Sequence, residues 1–114
     1  MTEIKLGDSY YLTVSVKNAD KTARDLSDVT DVLYQMAKSI ASTTRYITKD
    51  LTSPDIVIED PLDGVLSIKL QSDDTKGLDK GTAYHEAQMT LSNGDIITVL
   101  GEPIELIDQL IKGV

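Results

Sequence analysis

The chain has no cysteine, no tryptophan and no phenylalanine, and only one histidine and three prolines in 114 residues. Without thiols there is neither a disulfide framework nor a thiolate metal site, and thiol redox chemistry is closed. The lone His85 cannot build a histidine cluster. No apolar run approaches the roughly 20 residues that cross a bilayer. The opening MTEIKLGDSYYLTVSV has no basic stretch followed by an apolar one, so neither a membrane span nor a signal peptide is expected. The expectation is a soluble protein made in the cytoplasm.

Positive charge is also scarce. Lys and Arg number 11 against 19 Asp and Glu, a formal net charge of −8, and the basic residues are scattered instead of forming a stripe. Such a surface repels phosphate backbones, so nucleic acid is not an expected partner. What remains is 40% hydrophobic residues with five tyrosines as the only aromatics. That is enough for one core and too little for two, so residues 1–114 read as a single domain. A core of Val, Ile, Leu and Met suits β-structure, where branched side chains pack on a pleated surface.

Alternation carries the fold reading. In SYYLTVSVK, Tyr10, Leu12, Val14 and Val16 share one side of a strand, while Tyr11, Thr13, Ser15 and Lys17 take the other. Residues 29–40 fit two periods: Val32, Tyr34 and Met36 at a spacing of two, or Val29, Val32, Leu33, Met36 and Ile40 at helical spacing. The strand is preferred because its neighbours are strands. TRYITKDL, DIVIED and VLSIKL follow as strands, with a DPLDG turn in which Pro61 fixes an early angle and Gly64 supplies a positive one. SDDTKGL predicts one helical turn capped by Ser72 and ended by Gly77.

The stretch 82–91 predicts a long strand with His85, Ala87, Met89 and Leu91 on one side. Asn93-Gly94 then predicts a two-residue hairpin turn with positive angles at both positions. DIITVL and IELI follow as separate strands, Pro103 marking a bulge or an edge between them. Residues 108–114 read as a helical turn or a frayed tail. About seven strands and one short helical turn predict an all-β, antiparallel, immunoglobulin-like sandwich.

Candidate chemistry is sparse. His85 titrates in the range a general base needs, but no nucleophile motif accompanies it and its strand phase is inward, which favours a structural role. Asp55, Glu59, Asp60, Asp63, Asp73 and Asp74 lack the ligand alternation of a calcium loop, and turn formation and helix capping account for them. No catalytic, cofactor-binding or metal-ligating residue is assigned. Tyr11, Tyr46 and Tyr84 are phased outward and are the candidates for contacting a sugar.

The order of motifs adds a resemblance. Gly7-Asp8-Ser9 opens the first strand, Asp25-Leu26-Ser27 precedes the second, and Gly64 closes an acidic turn. Asp74, Thr75, Leu78, Gly81, Tyr84 and Glu86 form a middle segment, and Thr98-Val99-Leu100-Gly101 closes the hairpin. This pattern resembles small bacteriophage or prophage virion proteins with an immunoglobulin-like fold, including the N-terminal domain of phage baseplate upper proteins. The resemblance implies a non-catalytic structural component of a tail or baseplate, located in the virion, that assembles with copies of itself or with other virion proteins. The alternative expectation is a module that binds a host-surface carbohydrate. For assembly, the last strand, with Ile104, Glu105, Leu106 and Ile107, is the expected exposed edge.

Overall fold

A computed structural model describes residues 2–108. Eight strands and one short helix form in the order β1 (Thr2–Lys5), β2 (Tyr10–Ser15), β3 (Val29–Ala37), β4 (Arg45–Asp50), β5 (Ile56–Asp60), β6 (Val65–Leu70), α1 (Ser72–Lys76), β7 (Gly81–Leu91) and β8 (Ile96–Ile107). They make two sheets, five strands ordered β1-β8-β7-β3-β4 and three ordered β2-β6-β5. The all-β, two-sheet expectation therefore holds.

The alternation seen in the sequence is what puts side chains between the sheets. On β3, Val32, Tyr34 and Met36 are fully buried, whereas Leu33 is 37% exposed and Ile40, past the strand, is 71% exposed. The helical spacing would have required those two inside, so the period of two wins. The interior is completed by Leu12, Val14 and Val16, by Leu66, Ile68 and Leu70, and by Ala87, Met89, Ile104 and Leu106. Among the described residues every strand pairing is antiparallel except one: β1 runs parallel to β8, Thr2 opposite Ile104 and Lys5 opposite Ile107. The sequence reading had no strand before Tyr10 and expected antiparallel pairing throughout.

β8 merges the two predicted strands DIITVL and IELI into one. Its bulge falls not at Pro103 but at Val99, where the register slips between Ala87↔Leu100 and Gln88↔Thr98. Pro103 sits one residue before β1 begins to pair, on the open side of β8, which is the edge position expected of it. The segment Ile104, Glu105, Leu106 and Ile107 is therefore not an edge. It is held by β1 on one side and β7 on the other, at least as far as Leu106 on β7, with Ile104 and Leu106 in the core. The physical reason is that β1, a strand absent from the sequence reading, pairs with this segment in parallel and fills the ladder that would otherwise have been open.

Two turns also differ from expectation. Among the described residues only Lys21 and four glycines have positive φ, so Asn93 does not. The Leu91 amide donates to Asp95 O at 2.8 Å and the Gly94 amide to Leu91 O at 2.9 Å. This is a three-residue loop with Gly94 alone in the left-handed region, φ 90°. The helical turn α1 is entered through Gln71, whose backbone amide donates to the Asp74 carboxylate at 2.6 Å. Ser72, expected as the cap, donates its hydroxyl to Gly7 O at 2.6 Å instead, while the Gly7 amide donates to Thr75 Oγ1 at 2.9 Å. These two bonds fasten α1 to the turn after β1. Of the predicted tail, residues 109–114 lie outside the described residues.

Gly64 behaves as predicted and for a second reason. Its φ is +70°, and a Cβ there would lie 2.6 Å from both Val16 O and Arg24 O. The Val16 amide donates to Gly64 O at 2.8 Å and the Arg24 amide to Val16 O at 3.0 Å. Only a residue without a side chain permits this approach.

Candidate functional site

Three places hold the residues singled out from the sequence. The first surrounds His85, which β7 places opposite Met36 of β3 and Glu102 of β8. The ring is fully buried. Its Nδ1 is 3.0 Å from the Tyr34 hydroxyl and its Nε2 is 3.2 Å from Glu102 Oε1. A carboxylate only accepts, so Nε2 carries the proton and donates to Glu102, which leaves Nδ1 to accept from Tyr34. The Thr2 hydroxyl of β1 donates to the same Glu102 oxygen at 3.3 Å. Burial pushes the His85 pKa down, opposed by the hydrogen bond and charge of Glu102. Burial likewise raises the Tyr34 hydroxyl far above its ordinary range.

This arrangement can hold a neutral imidazole in one tautomer, but it offers no ring nitrogen to a substrate. Both nitrogens are engaged and the ring is covered. The His85–Glu102 partnership joins β7 to β8, and Tyr34–His85 joins β3 to β7, with the two rings packed edge to face at 5.7 Å between centroids.

The second place is built around Lys49. On β4 it falls on the inner face, opposite Tyr34, and is 9% exposed. Its Nζ reaches Asp55 Oδ2 at 2.7 Å and Asp74 Oδ2 at 2.9 Å. The Gln71 side-chain amide donates to the other Asp55 oxygen at 2.8 Å. Burial pushes the Lys49 ammonium down, but its hydrogen bonds to Asp55 and Asp74 outweigh that and hold it above its usual value. The Lys49 contact, then the Gln71 amide, hold the Asp55 carboxyl below the ordinary range. An ammonium, two carboxylates and an amide thus join the β4 edge of one sheet to the start of β5 and to α1. The sequence reading grouped Asp55 and Asp74 only as turn and cap residues. The available signal was Lys49 itself, sharing the inward phase of Ile47 in YITKD.

The remaining carboxylates do not converge on these two. Glu59 accepts from the Ser67 hydroxyl at 2.7 Å and Asp60 from the Asp63 amide at 3.2 Å, both near the β5–β6 turn. Among the described residues no group of three His, Asp or Glu side chains is arranged to hold a metal ion. No helix among them is long and apolar enough to cross a membrane.

The third place is the outer face of the five-stranded sheet, where Tyr84 of β7 lines a groove of about 220 Å³ with residues of β3 and the β3–β4 loop. The other tyrosines lie elsewhere. Tyr11 is 63% exposed on the three-stranded sheet, beneath the Lys69 ammonium at 5.4 Å from its ring centre. Tyr46 is the residue skipped where the β3–β4 register slips, and it packs partly against the core. The structure therefore does not bring Tyr11, Tyr46 and Tyr84 onto one platform.

The fold and these sites define an all-β two-sheet protein whose buried polar groups are satisfied internally: no buried side-chain nitrogen or oxygen among the described residues lacks a partner. Comparison with protein-family models and with curated proteins finds no match to this chain.

Proposed function

We propose that the protein is a non-catalytic structural module of a bacteriophage or prophage virion, of the tail or baseplate. In this reading it is made in the host cytoplasm and built into the particle through sheet-edge contacts with copies of itself. The observation that carries the assembly reading is an open stretch of β8. β1 covers this strand only from Ile104 onward, and no strand among the described residues pairs with 96–103 on that side. The stretch holds Ile96, Ile97, Val99 and Leu100, with Ile96 64% exposed, and contains no lysine or arginine. An open edge is a template for another strand unless charge, proline or a bulge blunts it. The Val99 bulge, Glu102 and Pro103 blunt the later part of this stretch, and Ile96, Ile97 and Thr98 form its unguarded part. The window 96–103 replaces Ile104, Glu105, Leu106 and Ile107 as the interface.

Two further features support the reading. The order β2-β6-β5 against β8-β7-β3-β4 supports the immunoglobulin-like reading, since in such sandwiches the second, fifth and fourth strands face a sheet of the last, sixth and third. The one histidine is spent on holding strands together, which fits a building block without a reaction centre. The phage assignment itself rests on the motif order from Gly7 to Gly101.

Backbone hydrogen exchange tests the edge. If copies join through β8, amides in 96–103 gain protection as protein concentration rises, while those of β4 stay unchanged. Equal exchange of 96–103 at all concentrations would overturn the assignment of this edge.

A further inference from the structure

The groove on the outer sheet face has a structural origin that also describes its ligand. Across β3 and β7 the register sets Leu33 opposite Gln88, Gln35 opposite Glu86 and Ala37 opposite Tyr84. On the other side of β7, Glu86 faces Gly101 of β8. Tyr84 thus has Ala37 opposite it on β3 and Pro103 opposite it on β8, and its hydroxyl reaches over Gly101, 2.9 Å from where a Cβ there would stand. The β3–β4 loop supplies the rim with Ile40, and Arg45 closes the β4 side.

The polar groups of this groove are oriented by one another. Arg45 Nε donates to Gln35 Oε1 at 3.1 Å, and Gln88 Nε2 donates to Glu86 Oε1 at 3.2 Å. A guanidinium has five donors and a carboxylate about four acceptor positions, so both keep capacity beyond these bonds. One cation and one anion balance, which disfavours a strongly charged ligand. Planar groups with paired donors and acceptors beside a tyrosine ring suit vicinal hydroxyls on a ring whose C–H face is apolar. The volume, below the roughly 300–1,000 Å³ of sites for drug-sized molecules, suits one such ring.

We propose that this groove is a binding site for a single neutral pyranose unit of a glycan, with Tyr84 as the ring contact and Gln35, Glu86, Gln88 and Arg45 as the hydroxyl contacts. It selects Tyr84 from the three candidate tyrosines and leaves Tyr11 and Tyr46 without this role. The site adjoins the β8 edge where the Tyr84 hydroxyl overlies Gly101, but its lining comes from β3, β7 and the β3–β4 loop, so the two proposals are tested separately.

The test is a titration of the isotopically labelled protein with the methyl glycosides of glucose, galactose, mannose and N-acetylglucosamine, followed by backbone amide NMR. At least one glycoside should give saturable shifts concentrated at Ala37, Tyr84, Glu86 and Gln88. Tyr84→Ala should weaken that binding about tenfold or more, and Tyr11→Ala should leave it unchanged. Gln88→Ala, a smaller change on the sheet's outer face, should also weaken it with the rest of the spectrum intact. No saturable shift with any of these glycosides, or binding unaffected by both Tyr84→Ala and Gln88→Ala, would overturn the proposal. Light scattering on the same samples reads assembly separately, so failure of one proposal does not imply failure of the other.

Discussion

The Tyr34 hydroxyl on β3 and Nδ1 of His85 on β7 lie 3.0 Å apart, with both side chains fully shielded from solvent. Two adjacent strands of the larger sheet are thereby joined through side chains as well as through the backbone. Tyr34→Phe removes the donor and leaves Nδ1 buried and unpaired, at a cost of about 1–3 kcal/mol. Urea unfolding should show a lower midpoint with an unchanged slope.

His85 also sets an acid-side dependence of stability. Burial depresses its folded-state pKa, so as pH falls through the unfolded value of about 6.5 the unfolded chain binds the proton first. Stability therefore falls from about pH 6.5 downward until the folded pKa is reached. Asp55, with its folded pKa lowered by Lys49, adds a second loss at lower pH: its contribution is present above about 3.9 and disappears as pH falls through the folded value. Because the chain has one histidine, the His85 ring signal can be followed by NMR without overlap. Its titration midpoint should lie below 6.5; a midpoint at or above 6.5 would contradict the burial argument.

Lys49 stands between two carboxylates, at 2.7 Å from Asp55 and 2.9 Å from Asp74. Lys49→Met leaves those carboxylates facing each other without the cation. Removing one partner of a fully buried pair costs about 3–5 kcal/mol, and partial exposure of the aspartates reduces this to about 1–3 kcal/mol. Adding Asp55→Asn to Lys49→Met should cost less than the sum of the two single changes. Additive losses in denaturant unfolding would mean that the contact contributes nothing.

Glycines in this chain separate backbone angle from space. Gly64 and Gly94 both have positive φ, but a Cβ at Gly94 meets nothing within 4 Å whereas at Gly64 it meets two carbonyl oxygens at 2.6 Å. Gly94→Ala should therefore cost about 1–2 kcal/mol, the left-handed strain alone, and Gly64→Ala distinctly more. Thermal melts of the two variants give the comparison, and equal losses would remove the close-approach argument.

The strands were legible where alternation was long and turns carried Gly or Asp. β3 fitted two periods, and the strand preferred on the strength of its strand neighbours is the one formed, with Val32, Tyr34 and Met36 inward. β1 left no usable signal: TEIK is four residues with one buried side chain, Ile4, and its pairing with β8 spans about the whole chain. That missed strand is why Ile104, Glu105, Leu106 and Ile107 read as an edge. Pro103 was a correct marker of a change in pairing, read in the wrong direction along the chain. The Lys49 cluster was hidden because its members come from β4, the start of β5 and α1, a spacing no local pattern encodes. The groove beside Tyr84 is lined by residues of β3, β7 and the β3–β4 loop, with the small Ala37 opposite Tyr84, a juxtaposition that no local pattern encodes.

The edge of β8 is the point on which the functional account turns. Deleting the chain from Glu102 onward would not test it, because Ile104 and Leu106 belong to the core. The direct measurement is light scattering coupled to size-exclusion chromatography over a range of concentrations, for the native chain and for Ile96→Lys combined with Thr98→Lys. The account predicts a discrete oligomer for the native chain and a folded monomer for the double variant. A native chain that stays monomeric throughout, or an oligomer that survives both lysines, would contradict assembly through this strand.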